Sequence, residues 1–163
     1  MKKLLLILIV ICSLTCLISC EAKYTDSLTS KELLDLSTNN ISTQYGVYFL
    51  EEDDGVLLDY SFDENETSYI EDCIVMKDKD TKNINEVGIF KIENGKTEII
   101  KAKISEYVNM LQTRYNSMNY FPEEVEKIDF ATVKVYGNYV VYSFLNESDT
   151  EAFYTAIENN LKK

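Results

Sequence analysis

The sequence predicts an α+β domain of two layers, an antiparallel sheet with helices packed on one face. Three observations predict it. Residues 71–76, 86–92, 131–136 and 139–145 have strand character, being rich in β-branched and aromatic residues. Ile100, Ile104, Val108, Leu111, Tyr115 and Met118 recur at spacings of 4, 4, 3, 4 and 3, the stripe of one long amphipathic helix over 97–118. Gly137-Asn138 separates the last two strands by two residues, a hairpin signal. The resulting order is strand, strand, helix, strand, strand, helix, a ββα unit occurring twice.

The elements follow along the chain. Thr29 or Ser30 caps a short helix, SKELLDL, with Leu33, Leu34 and Leu36 apolar, and Asn39-Asn40 ends it. Residues 45–60 are ambiguous: YGVYFL reads as a strand, EEDDG as an acidic turn, and Val56-Leu57-Leu58 as a second strand or a short helix. FDENETS, 62–68, reads as a polar loop, and KDKDTKNIN, 77–85, as a charged one. Asn94-Gly95 turns the chain into the long helix. Pro122, within NYFPEE, breaks the chain before a short helix at 123–127. The near-continuous apolarity of YVVYSFL, 139–145, places that strand centrally. Ser148-x-x-Glu151 has the form of a capping box opening a last helix, striped by Phe153, Ala156, Ile157 and Leu161.

The start of the chain carries the address. Lys2 and Lys3 precede an apolar run from Leu4 to Ser19, and polar residues follow at once. A spanning helix needs about 18–20 apolar residues, and this run falls short, so a secretory signal is the expectation. Leu17-Ile18-Ser19-Cys20 places a leucine three residues before a cysteine and a small residue just before it. Neither Cys12 nor Cys16 has that surrounding. The stretch is similar to a bacterial lipobox. It implies cleavage before Cys20 and a diacylglyceryl thioether on its sulfur. Each buried methylene contributes about 0.8 kcal/mol, and two acyl chains suffice for stable anchoring. The expected organisation is a signal peptide at 1–19, a tether at 20–28 and a single α+β domain at 29–163.

Composition excludes several functions. The net charge is −12, and loss of Lys2 and Lys3 with the leader takes it to −14. Nucleic acid is not an expected partner, because phosphate binding needs basic patches. Anionic lipid would repel the domain, so the lipid on Cys20 must supply the membrane contact. With no histidine in the chain, neither a Ser-His-Asp or Cys-His nucleophile nor a His-ligated metal is available within it. Cys20 and Cys73 are the cysteines left after processing, so no disulfide framework is expected. Neither a cofactor nor a metal site is expected. The acidic loops at 51–54, 63–66 and 78–80 do not match the calcium-loop pattern.

The second half also resembles a known family. The carriers are VGIFKI, the Asn-Gly turn, the long helix, the corner Tyr120-Phe121-Pro122-Glu123 and the hairpin VKVYGNYVVY. Together they resemble uncharacterised lipoprotein domains of clostridia and related Gram-positive bacteria, classed as a domain of unknown function. The resemblance spans about residues 71–161, and the chain before Tyr69 matches poorly. It implies fold and address, with no catalytic or ligand residue to carry over.

Two groups of side chains are candidates for a binding surface. Tyr120, Phe121 and Glu123 would form an aromatic and acidic lip, or a helix-terminating turn. Tyr136, Tyr139 and Tyr142 would stack on a sugar or peptide, or be ordinary tyrosines of a half-buried sheet. The function expected is that of a lipid-anchored domain on the outer face of the cytoplasmic membrane. It would bind an envelope protein, peptide or glycan, or serve a structural role, without catalysis. The alternative is a cell-envelope hydrolase using carboxylate acid–base chemistry.

Overall fold

A computed structural model describes residues 24–39, 41–42, 47–51, 56–78, 83–117 and 122–163. The elements are α1 (Ser30–Thr38), β1 (Val47–Glu51), a 3-10 turn (Val56–Tyr60), α2 (Glu64–Ser68), β2 (Ile70–Asp78), β3 (Glu86–Ile92), α3 (Thr97–Ser117), α4 (Pro122–Asp129), β4 (Thr132–Tyr136), β5 (Tyr139–Phe144) and α5 (Glu147–Leu161). The five strands form one antiparallel sheet in the order β1-β2-β3-β5-β4. Its class is α+β, as the sequence predicts.

The helices cover both faces, which corrects the two-layer expectation. Alternate residues of β2, β3 and β5 point to opposite sides. Cys73, Val75, Phe90, Ile92, Val140, Tyr142 and Phe144 meet Ile100, Ile104, Tyr107, Val108 and Leu111 of α3. Ile74, Met76, Val87, Ile89, Tyr139 and Val141 meet Leu33 and Leu34 of α1 and Phe153, Tyr154, Ile157 and Leu161 of α5. The signal lay in the strands themselves. Every residue of β5 is buried, as is every residue of β3 except Lys91. A strand with no polar face is covered on both sides.

Local chemistry sets the ends. Thr29 caps α1, its side chain accepting from Glu32 N while Glu32 accepts from Thr29 N at 2.8 Å. The segment read as a polar loop at 62–68 instead contains α2. Asp63 and Glu66 make a reciprocal capping box there, at 2.8 and 2.9 Å. At α5 the cap is Asn146, whose Oδ1 accepts from Asp149 N at 2.9 Å, and not Ser148. Gly137 opens the β4–β5 turn at φ 60°. The segment at 56–60, left open between strand and helix, is the 3-10 turn.

Part of the stretch expected as tether lies on the domain. Thr25 N donates to Leu161 O at 2.7 Å, and Tyr24 bridges Lys162. The Tyr24 ring packs edge-on against Tyr136, with centroids 5.6 Å apart. Leu28 O accepts from Tyr139 Oη at 2.6 Å.

One glycine has a packing reason. Gly88 stands opposite Tyr142 in the β3–β5 register. A Cβ at Gly88 would come within 2.1 Å of the Tyr142 ring. The ring occupies the space a side chain would take. Overpacking of this kind costs about 1–3 kcal/mol. Gly88→Ala is therefore expected to lower unfolding stability by at least that much in urea titrations. Gly95→Ala, whose Cβ position is open, would show only the smaller penalty of its positive φ.

Candidate functional site

A carboxylate lies against the apolar core. Glu86 opens β3 and is 7% exposed. It shares the α3-facing side of that strand with Gly88 and Phe90. A buried charge is costly unless it is paired and hydrogen-bonded, and Glu86 is both. Its Oε1 accepts from Tyr107 Oη at 2.8 Å and from Tyr142 Oη at 2.5 Å. Because the Tyr142 proton is committed to Glu86, Tyr60 Oη donates to Tyr142 Oη, at 2.5 Å. Lys77 Nζ lies 3.4 Å from Glu86 Oε2 and donates to Tyr107 Oη at 3.2 Å. Asp59 Oδ2 takes a further contact from Lys77, at 3.4 Å.

The three phenols are held as donors. Burial, and next the charge of Glu86, push Tyr60, Tyr107 and Tyr142 well above the usual phenol range. Their rings pack together as well. Tyr60 lies 4.2 Å from Tyr107 and 5.1 Å from Phe90, centroid to centroid. β2, β3, α3 and β5 each contribute one member of the network, and the 3-10 turn contributes Asp59 and Tyr60.

Asp59, Lys77, Glu86 and Tyr107 of the network line a cleft of about 370 Å³ between the second half of α3 and the β2–β3 connection. Lys77, Glu86 and Tyr107 form its inner part. Asn83, Asn85 and Asp78 line one side, and Met110, Leu111, Arg114 and Tyr115 the other. The Nδ2 groups of Asn83 and Asn85 both donate to Asp78 Oδ2, at 3.0 and 3.2 Å. That pairing orients the Asn85 amide, and its buried Oδ1 has no partner among the described residues. Met110 is half exposed at the rim. The cleft therefore combines apolar surface with groups of both charges and amides, a surface suited to a small polar or peptide-like molecule.

The expected site residues are placed as follows. Leu17, Ile18, Ser19 and Cys20 lie outside the described residues, as do Tyr120 and Phe121. Glu123 belongs to α4. The hairpin tyrosines are corrected as a surface. Tyr139 and Tyr142 are fully buried and Tyr136 is 7% exposed. They also divide between the two cores, Tyr142 on one side and Tyr136 and Tyr139 on the other. Burial, with a smaller contribution from Asp72, pushes the Tyr139 phenol up to about 12.

Glu86, Lys77, Tyr107 and Tyr60 were missed. The available signal was a glutamate sharing one strand face with Gly88 and Phe90, where an exposed face would carry more polar residues. Among the described residues no three Cys, Asp or Glu side chains are grouped to hold a metal. No helix among them is long and apolar enough to cross a membrane.

The network and most of the sheet fall within residues 50–145, which match a protein family described as a domain of unknown function, DUF4358. The match covers more than half of the chain, and the chain belongs to that family. It begins earlier than the resemblance in the sequence, taking in Tyr60, and ends before α5. No curated protein and no solved structure matches the chain.

Two outcomes test the network. Glu86→Ala would leave two phenols without their acceptor and Lys77 with only the Asp59 carboxylate among these partners, and is expected to cost about 3–5 kcal/mol. Tyr142→Phe is expected to cost about 1–3 kcal/mol. Urea unfolding measures both. The raised phenols also set an alkaline limit. Above the unfolded phenol value of about 10, the folded state holds more protons than the unfolded one. The stability these groups contribute is complete below that pH and falls as pH rises past it, by up to about 1.4 kcal/mol per pH unit for each tyrosine. Absorbance titration should show tyrosinate from the buried phenols only as the fold is lost.

Proposed function

We propose that this chain is a lipid-anchored, extracytoplasmic domain that binds a small polar or peptide-like ligand at the cell envelope, without catalysis. The cleft beside Glu86 carries the binding part of this reading. Its rim offers Arg114, Met110 and the Asn83–Asp78–Asn85 cluster, while its floor is saturated with internal hydrogen bonds. The anchoring part rests on Leu17-Ile18-Ser19-Cys20 at the end of a leader of signal length.

The same floor weighs against the carboxylate hydrolase. A general base needs an open oxygen facing the proton it takes. Both oxygens of Glu86 have partners within the protein, and its tyrosine neighbours are held protonated. A purely structural role would leave the cleft without an occupant.

Cys20→Ala should release the protein from the membrane fraction and abolish incorporation of labelled palmitate. An unprocessed chain that keeps its lipid label would sink the anchor. Binding is read by thermal shift of the domain with wall peptides, wall glycans and amino acids. A ligand at about 100 times its Kd adds roughly 2.7 kcal/mol to the stability, a shift of several degrees. Arg114→Ala together with Met110→Ala should remove the shift while changing the unliganded stability by no more than about 0.5 kcal/mol for each substitution. Turnover of any wall fragment by the purified protein would overturn the non-catalytic reading.

A further inference from the structure

The sheet has two unlike ends, and the anchor and the cleft fall at opposite ones. In the β3–β5 pair, Lys91 stands opposite Tyr139 and Glu86 opposite Phe144. Tyr139 follows the β4–β5 turn, and Tyr136, just before that turn, packs its ring against Tyr24. The first described residue of the chain is thus fixed at the turn end, where Thr25 N also bonds Leu161 O. Glu86 and the cleft lie at the other end, at the β2–β3 connection and the second half of α3.

Lengths make this decisive. Four residue steps join Cys20 to Tyr24. Fully extended, they reach roughly 14 Å. Along β3, the five residue steps from Lys91 to Glu86 span about 17 Å, and the cleft opens at and beyond Glu86. With the cleft pressed on the membrane, Tyr24 would stand farther from the surface than the link can reach. α5 runs in the same sense, from exposed Glu147 and Glu151 at the cleft end to Lys162 and Lys163 at the turn end. An anionic membrane surface repels the cleft-end carboxylates, while at the turn end Glu158 is already paired with Lys162.

Building on the anchored reading above, we infer that the domain stands on the membrane by its β4–β5 turn end and presents the cleft outward. The cleft then takes a ligand from the wall side, such as a wall peptide or a soluble solute, and not a membrane lipid. The short link is itself the device that sets this orientation.

The test uses the full lipidated chain in vesicles containing lipid with a spin-labelled headgroup. A fluorophore is placed at Lys163→Cys or at Met110→Cys, Cys73 being buried. Headgroup quenching should be several-fold stronger at position 163 than at position 110. Insertion of about a dozen Gly and Ser residues between Lys23 and Tyr24 should erase the difference, since such a linker lets the domain turn over. Equal or stronger quenching at position 110 in the natural-length chain would overturn the orientation. Failure of the chain to float with the vesicles would overturn the anchor, and the orientation with it, by a separate readout.

Discussion

The charge of Glu86 is the constraint around which the rest of this domain is arranged. A carboxylate at the edge of an apolar core is tolerated only with donors on its oxygens and a cation beside it. Here the donors come from α3 and β5, and the cation from β2. Tyr60, from the 3-10 turn, completes the chain of phenols by donating to Tyr142. Each partner has a position to hold. Tyr142 reaches Glu86 only because its ring lies over Gly88, where any side chain would intrude. Tyr107 reaches it because α3 lays its apolar stripe along the same face. Loss of the carboxylate would therefore loosen the junction of five elements rather than one contact.

Around that junction the sheet is enclosed on both sides. α3 closes one face, and α1 with α5 close the other. The second face is tied together by polar contacts at its margins. Ser30 N donates to Asp72 Oδ1 at 2.7 Å, and Ser42 N donates to buried Asp149 at 2.9 Å. No disulfide is involved among the described residues, and Cys73 is a buried thiol of β2. Stability rests on packing and on these satisfied polar groups. Long helices lying along the strand direction also give the molecule two distinct ends. On the proposed reading one end meets the membrane and the other the wall.

Much of the fold was legible in the residues. The bounds of β3 match the expected strand, and those of β2, β4, β5 and α3 fall within about two residues of expectation, the usual ambiguity of element ends. The Gly137-Asn138 turn and the Thr29 cap were also legible. The misses share a cause. The helix within FDENETS is held by the Asp63–Glu66 box, yet its composition reads as loop. The number of layers differs from expectation because a continuous apolar strand signals two covered faces as well as a central position. The tyrosines of the hairpin looked like a surface because a phenol suits either a wet groove or a satisfied core.

By itself the sequence determined what depends on neighbours in the chain. That includes the strand and helix periods, the hairpin, the Thr29 cap, the acidic charge, the lack of histidine chemistry and the lipobox-like stretch ending at Cys20. Only the tertiary structure decided where the chemistry sits. Tyr60 and Tyr142 are 82 residues apart and share a proton's path to Glu86, which is itself 56 residues from Tyr142. No periodicity links such positions. Whether a lone glutamate in a strand is solvated or buried is settled by which distant donors the fold brings to it, and that follows from packing, not from local spacing.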